Sequence, residues 1–143
     1  MDIKLTIELV PSTSWYTNLR SILSRKEWDA IRNKCYAEAN HKCEICGADN
    51  KIECHEKWQY NDELKTQTLI GLIALCPTCH MVKHAGRTIA IGKEYVVLRQ
   101  LMKINNMTKA ESINYIDEQF KVWNIRSNYD WEQDISYIET YLS

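Results

Sequence analysis

The chain has 143 residues, of which 45% are hydrophobic and 26% are charged, and its formal net charge at pH 7 is −1. This size and composition favour one folded, soluble domain, and the small net charge excludes a protein that is basic over its whole surface. The longest apolar run, 69–76, is too short to cross a membrane, and the acid-containing N-terminus differs from a secretory signal. We therefore expect a cytoplasmic protein with no membrane partner.

The first forty residues predict a strand followed by a helix. Apolar residues that alternate with polar ones indicate the strand, namely Ile3, Leu5, Ile7 and Leu9, and Pro11 ends it. Ser24 and Glu27 have the spacing of a capping box, which predicts a helix that runs to about Ala39. The residues on one face of this helix are Trp28, Ile31, Cys35 and Ala39. Asn40 and His41 are expected to end it.

The middle of the chain predicts a β-hairpin and a short helix. Residues 51–75 fit two strands joined by a turn at Asn61 and Asp62, with His55 and Lys57 on one side. The other side of the first strand would carry Cys54, Trp58 and Tyr60. Pro77 suits the first turn of a helix, and we expect that helix to end at Gly86.

The last third of the chain predicts helices. One helix would begin after Gly92 and bury a stripe made of Tyr95, Leu98, Leu101 and Met102. A second helix begins at a capping box formed by Thr108 and Glu111, with Ile113, Ile116, Phe120 and Trp123 facing inward. A final helix would bring together Trp131, Ile135, Ile138 and Leu142.

Four of the six cysteines form two C-x-x-C pairs, Cys43 with Cys46 and Cys76 with Cys79, separated by 29 residues. Two such pairs complete the tetrahedral four-thiolate site that is typical of structural Zn²⁺. Clustered cysteines in a reducing compartment hold metal more often than they form disulfides. A site of two cysteines and two histidines within residues 76–84 lacks the usual separation between its ligand pairs. We therefore predict a structural zinc ion held by four cysteines.

Three histidines lie near these cysteines in sequence. His80 follows Cys79 directly, and His84 lies one helical turn later on the same face. His55 stands in the predicted hairpin, between Cys54 and Glu56. Because the four cysteines complete the zinc site, these histidines are not needed as its ligands. Two imidazoles at helical spacing can instead bind another metal ion or a phosphate group.

The stretches "CEICG" (43–47), "ECHEKW" (53–58) and "LIGLIALCPTCHMVKHAG" (69–86) resemble the HNH endonucleases of the ββα-metal, or His-metal-finger, superfamily. The resemblance covers about a third of the chain. It implies an α+β fold with a small treble-clef ββα-metal core stapled by zinc. Within one domain, 1–143, an N-terminal strand and helix (1–40) and a C-terminal helical extension (93–143) would flank this core (41–92).

The resemblance also implies roles for individual residues. His55 matches the strand histidine that acts as general base in phosphodiester hydrolysis, and His80 matches the helix ligand of a catalytic divalent cation. His84 matches a further ligand or a phosphate contact. If Glu56 is the second member of the strand pair, His55 is a ligand and Glu56 the base. The second cation would be Mg²⁺, Mn²⁺, Ni²⁺ or Zn²⁺.

The chain departs from the family at one motif position, because Gly71 stands where the family has an asparagine. This leaves two functions open. One is a metal-dependent endonuclease that acts on DNA, or else on RNA, with phosphate contacts from Lys83, His84 and Arg87. The other is a degenerate module that binds nucleic acid or a protein partner without cutting. Convergence of His55 and His80 with an acid at one solvent-accessible point would favour catalysis.

Overall fold

The computed structural model describes residues 3–15 and 17–143. Its helices are α1 (Leu19–Ile22), α2 (Arg25–Glu38), α3 (Pro77–Lys83), α4 (Ala85–Ala90), α5 (Glu94–Asn105), α6 (Lys109–Arg126) and α7 (Tyr137–Leu142), with a short 3-10 helix at Ser12–Ser14. Its strands are β1 (Glu53–Asn61), β2 (Thr66–Leu75) and β3 (Glu132–Asp134). The fold is therefore mixed α and β, as expected. None of the helices in the described ranges is long and apolar enough to cross a membrane.

The predicted hairpin is confirmed, and it separates two hydrophobic clusters. Strands β1 and β2 pair antiparallel, with His55 opposite Ile73 and Cys54 opposite Ala74. Because neighbouring residues of a strand point to opposite faces, Ile73 and Leu75 join one cluster with α3, α5 and α6. Cys54 and Ala74 join the other cluster, with α2 and α7. His55 consequently lies on the α3 side of the sheet.

The predicted N-terminal strand is wrong, although its apolar alternation does report burial. Leu5 and Ile7 are buried, but residues 3–10 pair with no strand. The backbone groups of Leu5 and Ile7 bond to side chains instead: the amide of Asn105 bonds both backbone groups of Leu5 at 2.8 and 2.9 Å, and the Tyr115 hydroxyl accepts from the Ile7 N–H at 2.9 Å. The segment is thus held against α5 and α6.

Helix α2 begins and ends where the sequence indicates. Ser24 and Glu27 form the reciprocal capping box, and Cys35 is buried on the inner face. Asn40 and His41 both adopt left-handed backbone conformations, and the His41 N–H donates to the carbonyl of Tyr36 at 2.8 Å. The prediction that these residues end the helix is confirmed, and the chain turns directly into the first cysteine pair.

The predicted end of the short helix at Gly86 is wrong. Helix α3 does begin at Pro77, but it stops at Lys83, and His84 separates it from α4, which contains Gly86. A side chain at Gly86 would come within 3.6 Å of Leu9, so this glycine lies under the N-terminal segment. The left-handed residue that follows α4 is Gly92.

The C-terminal helices are confirmed in place but not in every face. In α5, Leu101 is buried as expected, whereas Tyr95 and Met102 are exposed. In α6, the Thr108 capping box forms and Ile116 is buried, whereas Ile113 is exposed. Each predicted stripe was therefore too wide.

The prediction of one helix from Trp131 onward is wrong. Residues Glu132–Asp134 form β3, which pairs in parallel with Thr66–Thr68 of β2. Helix α7 begins only at Tyr137 and buries Ile138 and Tyr141. The free edge of β2 supplies hydrogen-bonding partners that a reading of local periodicity cannot anticipate.

Leu101→Ala is expected to lower the free energy of unfolding by about 2–5 kcal/mol, because the side chain is fully buried and its removal leaves a cavity. Its neighbour Met102, which is 37% exposed, provides the matched control, and Met102→Ala should cost less than about 1 kcal/mol. Urea denaturation followed by circular dichroism measures both values. Equal losses for the two variants would contradict the observed orientation of α5.

Candidate metal centres

The four predicted zinc ligands come together. One donor atom from each of Cys43, Cys46, Cys76 and Cys79 lies within 4.8 Å of the others, and the Sγ atoms of Cys46 and Cys76 are 3.5 Å apart. Four thiolates at about 2.3 Å from a zinc ion lie roughly 3.8 Å from one another. The cluster therefore fits a tetrahedral metal ion such as zinc.

Local backbone geometry shapes both cysteine pairs into turns. Gly47 takes a left-handed conformation and donates its N–H to the Cys43 carbonyl at 2.9 Å. The backbone N–H groups of Cys46 and Cys79 point at the sulfurs of Cys43 and Cys76, at 3.5 and 3.4 Å. These amide-to-sulfur contacts are the ones that favour thiolate over thiol.

The electrostatics of the cluster also suit a bound cation. Burial raises the pKa of Cys43, but backbone N–H groups, first that of Cys46, outweigh it and bring the pKa to about 7. Burial raises the pKa of Cys79 well above its usual range, and the negative charges of Cys43 and Cys76 add to this. The Gln100 amide donates to the Cys79 sulfur at 3.3 Å. A divalent ion would relieve the repulsion among the thiolates.

A second cluster lies beside the first, on the α3 side of the hairpin. His55 of β1, His80 of α3 and His84 at the end of α3 each place a ring nitrogen within 4.8 Å of the others. The Nε2 atoms of His80 and His84 are 3.0 Å apart. Two imidazole nitrogens that bind one metal at about 2.1 Å lie roughly 3.0–3.4 Å apart. His80 and His84 therefore have the spacing of two ligands of one ion, and His55 lies close enough to complete a group that could hold a metal.

Two of these histidines are backed by carboxylates. Nε2 of His55 lies 2.9 Å from Oε1 of Glu8, and Nδ1 of His80 lies 3.0 Å from Oε1 of Glu53. Histidines that bind metals usually donate their other ring N–H to a carboxylate or carbonyl group, which fixes the tautomer and the ring orientation. For His80 this arrangement is complete, because its Nε2 faces His84 and its Nδ1 contacts Glu53.

The histidines differ in exposure. His55 is buried, and burial is the main reason that its pKa is lowered. His84 keeps an exposed surface, although the adjacent rings displace water from one side of its imidazole. This desolvation, together with the nearby charges of His55 and His80, lowers the pKa of His84 to about 3. Neutral imidazoles are the form that binds metal.

The structure does not support Lys83 as a phosphate contact. Its side chain is buried, and its ammonium donates to Glu8 at 2.5 Å and to Thr6 at 2.7 Å. Burial would raise the pKa of Glu8, but the hydrogen bond from His55 and the charge of Lys83 lower it to about 2. Lys83 therefore serves as the counter-ion of Glu8 beneath the histidine cluster.

The structure does not support Glu56 as a catalytic base beside His55. Glu56 follows His55 in β1, so its side chain points to the opposite face of the sheet. There its carboxylate accepts a hydrogen bond from the Leu19 N–H at 2.7 Å. Burial raises its pKa. Glu56 caps the first turn of α1 and is separated from the histidines by the hairpin itself.

Two further cations lie on the histidine side. Arg87 is exposed on α4 and is close enough to His84 for its charge to lower the pKa of that histidine. Lys57 is two residues from His55 and pairs with Gly71, and a side chain at Gly71 would come within 3.7 Å of the Lys57 stem. The position where the HNH family has an asparagine is thus covered by a lysine.

The sequence analysis placed Lys57 on the side of His55, but it assigned none of Glu8, Glu53 and Lys57 to this site. Glu53 and Lys57 could have been found, because strand alternation places both on the face of His55. Glu8 gave no such signal, because it is 47 residues from His55 in sequence.

Comparison of the chain with protein-family models, with curated proteins and with solved structures gave no match. The function of the site therefore rests on its own geometry and chemistry.

Proposed function

We propose that this chain is a metal-dependent nuclease of the HNH type, built on a treble-clef ββα-metal core, that hydrolyses phosphodiester bonds in DNA. The observation that carries the proposal is the convergence of His55, His80 and His84 next to a four-cysteine cluster. The cysteines would hold structural zinc, and the histidines would hold the catalytic ion. Structural metal sites usually have four protein ligands, whereas catalytic sites have three and leave a coordination position for water or substrate.

The histidine site selects among metal ions. Three neutral nitrogen donors suit Zn²⁺, Ni²⁺ and Co²⁺, whereas Mg²⁺ prefers oxygen donors. We assign His55 to the ion rather than to the role of base, because its ring is buried and its donor atom lies within 4.8 Å of those of His80 and His84. When bound, such an ion lowers the pKa of water and stabilises charge on a phosphate group.

The residues around the histidines would bind and orient the substrate. Arg87 is exposed beside His84, and its guanidinium can form two hydrogen bonds to one phosphate group. Lys57 is two residues after His55 on the same face of β1, so their Cα atoms are roughly 7 Å apart. Phosphate groups of one strand that lies across the site would meet both cations. Glu8 and Glu53 hold two of the three rings in place.

The proposal is tested by incubating zinc-loaded protein with supercoiled plasmid and Zn²⁺, Ni²⁺, Co²⁺, Mn²⁺ or Mg²⁺ in turn. We expect nicking with the first three ions, and at least about tenfold less with Mg²⁺, because the donor set is all nitrogen. Parallel reactions with single-stranded RNA measure the preference for DNA. Absence of nicking with every ion, from protein that retains its zinc and fold, would contradict a nuclease function on plasmid DNA.

A second candidate function is the binding of nucleic acid or of a protein partner without cleavage. The position of Glu56 favours it, because the acid next to the strand histidine faces away from the cluster and caps α1. In that case the ion at the histidines would be structural. Salt-dependent association with DNA in the absence of nicking would support this second function.

A further inference from the structure

The N-terminal segment reaches into the histidine cluster through one side chain, that of Glu8. The Glu8 N–H donates to the Lys83 carbonyl at 3.1 Å, which anchors its backbone to the end of α3. Its Oε2 atom accepts from Lys83 at 2.5 Å and from the Thr6 hydroxyl at 2.7 Å. Its Oε1 atom lies 2.9 Å from Nε2 of His55. The carboxylate is therefore held at three points, and one oxygen is directed at His55.

This arrangement fixes the tautomer of His55. An ionised carboxylate has only acceptor sites, so Nε2 of His55 must carry the hydrogen that bridges to Glu8. In a neutral imidazole the other nitrogen, Nδ1, then keeps its lone pair. Only a nitrogen with a free lone pair binds a metal ion. While Glu8 holds Nε2, Nδ1 is therefore the ring nitrogen of His55 that can bind a metal ion.

Lys83 has a separate task in the same network. Its buried ammonium holds Oε2 of Glu8 and so leaves Oε1 as the oxygen that meets His55. A buried cation also keeps its partner carboxylate ionised. The contact between Glu8 and His55 is therefore prepared before any ion arrives, which lowers the entropic cost of binding.

We propose that Glu8 is a positioning residue that holds His55 in the tautomer whose Nδ1 binds the metal ion, so that the N-terminal segment is a working part of the metal centre. The inference rests on the proposed function, because it assigns His55 to the ion. Gly71 stands where the HNH family has an asparagine, and in this chain the contact from Glu8 supports the strand histidine His55. Glu8 approaches from a different part of the chain, the segment before α1.

The test compares Glu8→Ala, Glu8→Gln and Lys83→Met by calorimetric titration of Co²⁺ into protein whose cysteine site is already filled with zinc. We expect Glu8→Ala to weaken Co²⁺ binding by about 10- to 100-fold, the usual effect of removing a carboxylate behind a histidine ligand. Glu8→Gln should retain most of the affinity, because its amide oxygen still accepts the Nε2 hydrogen. Lys83→Met should lie between them, because it keeps Glu8 but loosens it.

A second readout needs neither activity nor an ion at the histidines, provided that the protein carries only the one zinc equivalent that fills the cysteine site. Long-range ¹H–¹⁵N spectra of histidine-labelled, zinc-loaded protein report which ring nitrogen of His55 carries hydrogen. We expect Nε2–H in the wild-type protein and in Glu8→Gln, and a mixture of tautomers in Glu8→Ala. Circular dichroism confirms that each variant is folded, and if Glu8→Ala does not fold, the wild-type and Glu8→Gln spectra still decide.

The possible failures are distinguishable. Wild-type protein that binds no Co²⁺ beyond its zinc site would overturn the catalytic metal site, and with it the proposed function. Wild-type protein that binds Co²⁺, together with a Glu8→Ala variant of equal affinity, would overturn the role of Glu8 alone. An Nδ1–H tautomer for His55 in the wild-type protein would also overturn it.

Discussion

Cys79→Ser is expected to leave the chain unfolded at 25 °C. The Cys79 sulfur is fully buried at the first turn of α3, where it is one of the four clustered donors. Structural zinc sites contribute about 10–16 kcal/mol of binding free energy in small domains, which is comparable to the whole stability of a typical protein, about 5–15 kcal/mol. A hydroxyl group is a poor replacement for a thiolate ligand of zinc. Zinc content and far-UV circular dichroism measure the result.

Cys35→Ser is the matched control for this variant. Cys35 is also a buried cysteine, but it lies in the hydrophobic cluster between α2 and the hairpin, away from the four clustered sulfurs. We expect this variant to keep one structural zinc ion per chain and to lose only about 1–3 kcal/mol, as is usual for a buried polar substitution. A Cys79→Ser protein that is free of zinc, yet as stable as Cys35→Ser, would refute a structural metal.

Under the proposed function, His80→Ala is expected to remove the ion at the histidines while the ion at the cysteines remains. His80 contributes the Nε2 atom that lies 3.0 Å from that of His84, and its other nitrogen is held by Glu53. Because removing even a supporting carboxylate costs about 10- to 100-fold in affinity or activity, we expect the loss of a ligand to reduce plasmid nicking by at least about 100-fold. Metal content should fall from two ions per chain to one.

His41 provides the control for the histidine variant. It is exposed, lies at the end of α2 and takes a left-handed conformation, which asparagine tolerates better than alanine. His41→Asn should therefore keep two ions and full activity. If His80→Ala loses its structural zinc and its fold, or if His41→Asn loses activity to the same extent, the two sites are not separate in the way that the structure indicates.

Features that depend on neighbouring residues could be predicted from the sequence. The capping boxes at Ser24 and Thr108 were confirmed because each needs only a side chain and an amide three residues apart. The cysteine cluster could also be predicted, although its halves are 29 residues apart, because each C-x-x-C turn is local and two such turns are typical of a four-thiolate metal site. The hairpin followed from its alternation and from the turn at Asn61.

Features that depend on distant partners could not be predicted. The alternation in residues 3–10 indicates which side chains are buried. The same alternation occurs in a paired strand and in an extended segment whose backbone bonds to side chains such as Asn105 and Tyr115. Residues 132–134 form a strand because an edge of β2 is available to them. The buried Glu8–Lys83 pair joins residues 75 positions apart, and Lys83 therefore looked like a surface cation.

Cys79 and His80 are consecutive residues, so the two candidate metal centres share one turn of α3. By thermodynamic linkage, any factor by which zinc at the cysteines increases ion affinity at the histidines must also act in reverse. An ion at the histidines would then strengthen the hold on zinc by the same factor. If that factor exceeds one, the two clusters would act as one cooperative unit, and an ion bound at the histidines would also stabilise the folded state.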